Sequence, residues 1–336
     1  MVIRILAATL LAAAMPWSAS AAQAEPGGPR SDNAVIRLHT GGFWLNLHHF
    51  LYVLGRAEAG MSDAGRDAVR HAPAEQNSVL ARLSAEDQRV WRAAVTSYAR
   101  GLSRRDMVHD AMLSRLTHRL SSADPASPAS ESGIEPAVAE VLDRAATIYR
   151  TAWWPRHDAA NRARADEYRP MLARHGEALS AFVSRVYGAT WPVPGFDMHL
   201  SAYTNWAGAY STTTGPLLVA SSLYGSLDGW HGIELLLHES LHQWDEQILA
   251  RLASAARAAN VPVPPYDVVH AMIFATAGEA VRRIVADHVP FAELHGLWGG
   301  RSFGPHKARV DAAWGPWLRG EGTLEDALAA LVRTPA

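Results

Sequence analysis

The chain has 336 residues, 49% of them hydrophobic and 19% charged, with a formal net charge of −2 and no cysteine. That is a globular composition with room for one large domain or two modest ones. It excludes disulfides, thiolate zinc sites and a lipid-modified N-terminal cysteine, and it gives no sign of a nucleic-acid partner. Any metal has to be held by histidine and carboxylate.

In chain order, "MVIRILAATLLAAAMPWSASAAQA" (1–24) reads as a secretory signal, with Arg4 at the positive end, an apolar run and Ala22-Gln23-Ala24 as a small-x-small cleavage site. The expectation is an exported protein, periplasmic or secreted after cleavage. No later stretch is apolar for long enough to predict stable membrane insertion. Residues 25–33, rich in Pro and Gly, form a loose leader. Residues 34–187 carry helical spacing, with Ser84 and Asp87 placed as a capping box and Ser103 with Asp106 repeating the device. A low-complexity loop covers 121–133, and Pro155 interrupts a long helical stretch. His48, His49 and His157 read as core or capping residues, with "WWPRHD" as a weaker cleft-wall alternative.

Beyond residue 188 the texture changes. "DMHLSAYT", "AYSTTT" and "PLLVASSL" predict a small antiparallel sheet of about three strands. Asp228 then caps a helix running through "HGIELLLHESLHQWDEQILARLASAARAA", and a second helix follows from "YDVVHAMIFATAGEAVRRIV". The first helix holds His238, Glu239 and His242 in the order H-E-x-x-H. Residues four apart share a helix face, so His238 and His242 can offer two imidazole nitrogens to one ion. Glu239 sits about 100° around the helix, beside the ion, where it can take a proton from a zinc-bound water.

This stretch resembles the zincin metallopeptidases, whose active-site helix carries H-E-x-x-H with uncharged inner residues and apolar flanks; Ser240, Leu241, Leu235–Leu237 and Trp244 fit that description. The resemblance covers the motif helix and, more loosely, the strands before it and the helix after it. It implies an α+β, mainly helical fold with a zincin-like core at 188–336, a small sheet before the motif helix and a ligand-bearing helix after it. Asp245 and Ile248 stand where the metzincin branch has Gly and His, which excludes that branch. The gluzincin branch takes a Glu from the second helix, which points to Glu279 as third ligand. A carboxylate among so many apolar neighbours needs a partner, which a metal would supply. Arg283, one turn on, is the alternative partner of Glu279, and His270 is the rival ligand. Glu279 and His270 lie on nearly opposite helix faces and should not share an ion.

The resemblance further implies an edge strand that pairs with an extended peptide, with "AYSTTT" (209–214) as the candidate, and a side-chain donor for the oxyanion among Tyr210, Tyr203, His231 and His270. The expected protein is an exported zinc-dependent hydrolase, a metallopeptidase acting on peptide or protein substrates. His238, His242 and Glu279 would hold zinc and Glu239 would be the base. The alternatives are a metal-binding zincin fold without peptidase activity, or a helical interaction protein with a fortuitous motif.

Overall fold

The computed structural model describes residues 35–212 and 216–334; the signal-like segment 1–24 and the leader 25–33 lie outside them. The chain opens with strand β1 (Ile36–His39) and helix α1 (Phe43–Glu58). All residues of α1 from Phe43 to Arg56 are buried, so it is the central helix around which the next ones pack. Helices α2 (Ala72–Leu80), α3 (Ala85–Arg100), α4 (Ala111–Ser121) and α5 (Pro136–Ala152) follow. The Ser84 hydroxyl accepts from the Asp87 amide at 3.1 Å, as its spacing predicts. Ser103 caps no helix. It is fully buried and donates to the Tyr52 carbonyl, while Asp110 caps α4 through the Met112 and Leu113 amides.

Helix α6 (Trp154–Tyr187) starts after a break at Trp153. Pro155 cannot donate into α5 but is accommodated in a first turn. Gly188 ends α6 at φ +57°, the left-handed conformation that glycine adopts at no steric cost. Strands β2 (Phe196–Ser201), β3 (Ala209–Ser211) and β4 (Leu218–Ser221) come next, then α7 (Gly229–Leu241), α8 (Asp245–Ala259) and α9 (Tyr266–Arg282). Four short helices close the chain: α10 (Phe291–Leu294), α11 (Gly304–Ala313), α12 (Gly315–Arg319) and α13 (Leu324–Arg333). No helix among the described residues is long and apolar enough to cross a membrane.

The fold is mainly helical with one small sheet, but that sheet is mixed, not antiparallel. Its order is β1-β2-β4-β3, with β1 and β4 parallel to β2 and only β3–β4 antiparallel. The difference has two causes. Strand β4 inserts between β2 and β3, so only the β3–β4 pair is a local hairpin. The outer partner of β2 is β1, which comes from before α1 and carries no periodicity signal of its own.

Alternation along these strands sends neighbours to opposite faces. Met198, Leu200, Ala209, Leu218 and Ala220 face a core built with α6, α7, α9 and the C-terminal helices. Tyr210 and Val219 face a second core built on α1, α3 and α5. The sheet is therefore the shared floor of two cores, and α6 from Ala165 onward belongs to the C-terminal one while its first turns pack in the other.

The helix expected to run unbroken from 229 into the 250s is two helices. A 3-10 turn, His242–Trp244, separates α7 from α8. Nor does Asp228 cap α7: its carboxylate pairs with Arg164 at 2.6 Å, and Glu167 of α6 accepts from the Gly229 amide at 2.6 Å.

Candidate metal centre

Two close contacts seat the helices that carry the site. A Cβ on Gly232 would lie 2.1 Å from the Tyr168 hydroxyl and 2.3 Å from the Leu227 carbonyl, so only glycine lets α7 approach α6 this closely. On α9, a Cβ on Gly278 would meet Pro290 Cβ at 2.7 Å. With Ala271 and Ala277 also buried, α9 packs directly against α7.

These contacts bring three imidazoles together. His238 Nε2 is 3.2 Å from His242 Nε2 and 3.1 Å from His270 Nε2, and one ring nitrogen from each residue lies within 4.8 Å of the other two. His238 Nε2 offers one hydrogen or one lone pair, so it can make a full hydrogen bond to only one of the two nitrogens that face it. A cation at the centre of the three nitrogens satisfies all of them. Tetrahedral zinc with Zn–N bonds of about 2.0–2.1 Å requires N···N separations of about 3.3–3.4 Å, so this donor set fits.

Burial holds His238 neutral, its pKa well below the ordinary value, with His242 and His270 adding to the effect. Burial likewise pushes His270 down to about 3, helped by His242 and His109. His242 is different. Burial disfavours its charge, but the Asp245 carboxylate, 3.0 Å from Nδ1, and Glu239 raise its pKa. Asp245 also accepts from the Tyr266 hydroxyl at 2.5 Å, and Tyr266 lies 3.2 Å from His242 Nδ1. A carboxylate on Nδ1 leaves Nε2 as the free lone pair, the tautomer a metal ligand needs. Phe274 stacks on His270 with ring centroids 5.1 Å apart and Phe303 meets it edge-on at 5.0 Å, giving the centre apolar walls.

Glu239 is buried beside the histidines, and desolvation lifts its pKa to about 6. The Ser211 hydroxyl opposes that rise. It lies 2.7 Å from the Glu239 carbonyl and 3.0 Å from Oε2.

Of the residues predicted for the site, His238, Glu239 and His242 come together and His270 joins them as the third nitrogen. Glu279 does not. Its carboxylate pairs with Arg283 Nε at 3.5 Å, one turn on, and nine residues of helix turn it away from His270. Tyr210 is not at the site either. It is 2% exposed on the opposite face of β3, with its hydroxyl 2.7 Å from His49 Nε2. Tyr203 donates to Glu75 at 2.6 Å in the same far core, and His231 bonds the Val289 carbonyl at 3.0 Å. Within "WWPRHD", Trp153 and His157 are core, His157 lying between Tyr149 and Glu75, whereas Pro155 and Arg156 are exposed. His48 and His49 are core residues as read.

Asp245, Tyr266 and Ser211 were not legible as site residues. Two spacings carried the signal: Asp245 stands three residues after His242, and Tyr266 stands four before His270 on one helix face. Alternation in β3 also places Ser211, not Tyr210, on the side of α7. No family model, no curated protein and no solved structure matches the chain.

Proposed function

We propose that the chain is a zinc-dependent hydrolase with a zincin-like core, a metallopeptidase that acts on peptide or protein substrates outside the cytoplasm after loss of residues 1–24. The observation that carries this reading is the convergence of His238, His242 and His270 Nε2 with Glu239 as their immediate neighbour. Three protein nitrogens with a fourth position left over is the arrangement of catalytic zinc sites; a structural site closes with four.

Zinc held there would supply Lewis acidity, acidifying a water and polarising the scissile carbonyl. Glu239 takes one proton from the attacking water as the oxygen bonds to the carbonyl carbon. It returns that proton to the leaving nitrogen as the C–N bond breaks, and the second water proton passes from the new carboxylic acid to the amine, leaving one carboxylate and one ammonium. Asp245, braced by Tyr266, keeps His242 in its ligating tautomer. His118 of α4 lies 3.0 Å from the Thr212 hydroxyl, one residue past Ser211, so the helical region reaches the edge strand beside the centre.

The test is zinc content by mass spectrometry after gel filtration, together with cleavage of a peptide library by the wild type and by Glu239→Gln. One equivalent of zinc in both proteins, with cleavage only in the wild type, is the expected result. A wild type that holds no zinc and takes up none when it is added would overturn the reading.

A further inference from the structure

Ser211 sits at the end of β3, the edge strand, in register with Leu218 of β4. Its neighbour Tyr210 anchors the strand in the opposite core through His49, so the position of Ser211 over α7 is fixed from behind. Its single hydroxyl hydrogen faces two acceptors of one residue, the backbone carbonyl and carboxylate Oε2 of Glu239. A hydroxyl within reach of both the backbone carbonyl and the carboxylate of one residue restrains the χ angles between them, because turning the carboxylate away breaks the contact. No hydrogen bond reaches Oε1 among the described residues, which leaves one carboxylate oxygen for proton transfer.

We propose that Ser211 is a positioning residue for Glu239, holding Oε2 and the Glu239 carbonyl from the edge strand so that Oε1 is the proton-transferring atom. The proposal rests on the hydrolase reading of the same site. It adds a component outside the motif helix, contributed by the sheet. A helix-end cap alone would need only the carbonyl contact. The carboxylate contact is what makes the difference testable.

Three variants separate the roles. Ser211→Ala and Ser211→Val remove the hydroxyl, Val bringing the β-branched shape of Thr, suited to a strand, should Ala not fold. Ser211→Thr retains it. Zinc content, kcat, KM and crystal structures of the zinc-loaded proteins are the readouts. All three should hold one equivalent of zinc. Without the hydroxyl kcat should fall about 10- to 100-fold, with KM changed less than about twofold, and Ser211→Thr should recover most of the rate. In the crystals the Glu239 carboxylate should leave its wild-type rotamer in the Ala and Val variants and keep it in the Thr variant. Wild-type kcat without the hydroxyl, or an undisplaced carboxylate, would overturn the proposal. If the zinc-loaded wild type cleaves no peptide, the hydrolase reading fails by itself, and the carboxylate rotamer alone decides whether Ser211 positions Glu239.

Discussion

Replacing His270 and Glu279 separately by Ala discriminates most sharply between the ligand set expected from sequence and the one the geometry supports. In the fold His270 Nε2 stands 3.1 Å from His238 Nε2, whereas Glu279 is bound to Arg283 and its side chain is 26% exposed. Structural zinc sites bind with about 10–16 kcal/mol over four ligands, which is about 2.5–4 kcal/mol for each. At about 1.4 kcal/mol per decade, losing one nitrogen weakens zinc binding roughly 10²- to 10³-fold. Losing Glu279 removes a half-exposed i,i+4 ion pair, with an effect on stability of about 0.5 kcal/mol or less and none on zinc. Titration against a chelator of known affinity measures both. His270→Ala should move to the weak end of that window while Glu279→Ala stays at the wild-type value. A Glu279→Ala variant that loses zinc while His270→Ala retains it would refute the geometric argument outright.

Asp245→Ala should weaken zinc binding about 10- to 100-fold while the fold persists, because His242 Nδ1 loses its carboxylate partner and keeps only the Tyr266 hydroxyl; chelator competition with circular dichroism checks both halves. Gly232→Ala should destabilise by at least about 1–3 kcal/mol in denaturant unfolding, since its Cβ would stand 2.3 Å from the Leu227 carbonyl. Glu75 is the group for an acid titration. Burial opposes its charge, but His157, Tyr203 and Arg156 outweigh burial and lower its pKa below 4.5. A depressed carboxylate stabilises the fold above its unfolded pKa and loses that contribution as pH falls through the folded one. Thermal unfolding should therefore show Tm dropping below about pH 4.5, with a shallower drop in Glu75→Gln.

What could be read from the sequence and what could not follow from one physical distinction. The motif helix, the N-cap at Ser84 and the break before Pro155 are local: spacing, a hydroxyl and a missing N–H specify them within a few residues, although Asp87 bonds the Ser84 hydroxyl and does not close a capping box on its amide. The third nitrogen is not local. Both His270 and Glu279 lie on α9 in good helical sequence, and which face turns to α7 is set by Gly278 against Pro290 and by the small residues Ala271 and Ala277. The apolar neighbours of Glu279 suggested a buried carboxylate wanting a metal, but the chain places it at the helix margin with Arg283. Strand β1 escaped notice for the same reason. Four residues pair with a strand that follows all of α1–α6, and nothing in "IRLH" alone announces that partner. The break after Leu241 had no Gly or Pro to mark it. At that end of α7 the Glu239 carbonyl is taken by Ser211 from another element, and Asp245 starts the next helix with its carboxylate on His242.

Texture also suggested a division at residue 188, with a helical region before it and a catalytic one after. The packing argues that the C-terminal part cannot stand without its predecessor. Residues 188–336 lack β1, so β2 would expose an edge, and they lack α6, which contributes Tyr168, Val183 and Val186 to the core under the metal centre. They also lack α1 and α3, leaving Tyr210 and Val219 bare on the far face of the sheet. Each such side chain is worth about 1.5–3 kcal/mol when fully buried, against a typical domain stability of about 5–15 kcal/mol, so losing a handful exceeds the margin. A chain beginning at residue 188 should therefore show no cooperative thermal transition and hold no zinc. A cooperative transition with one equivalent of zinc bound would mean that the sheet's second face needs no cover, and that the two cores are independent.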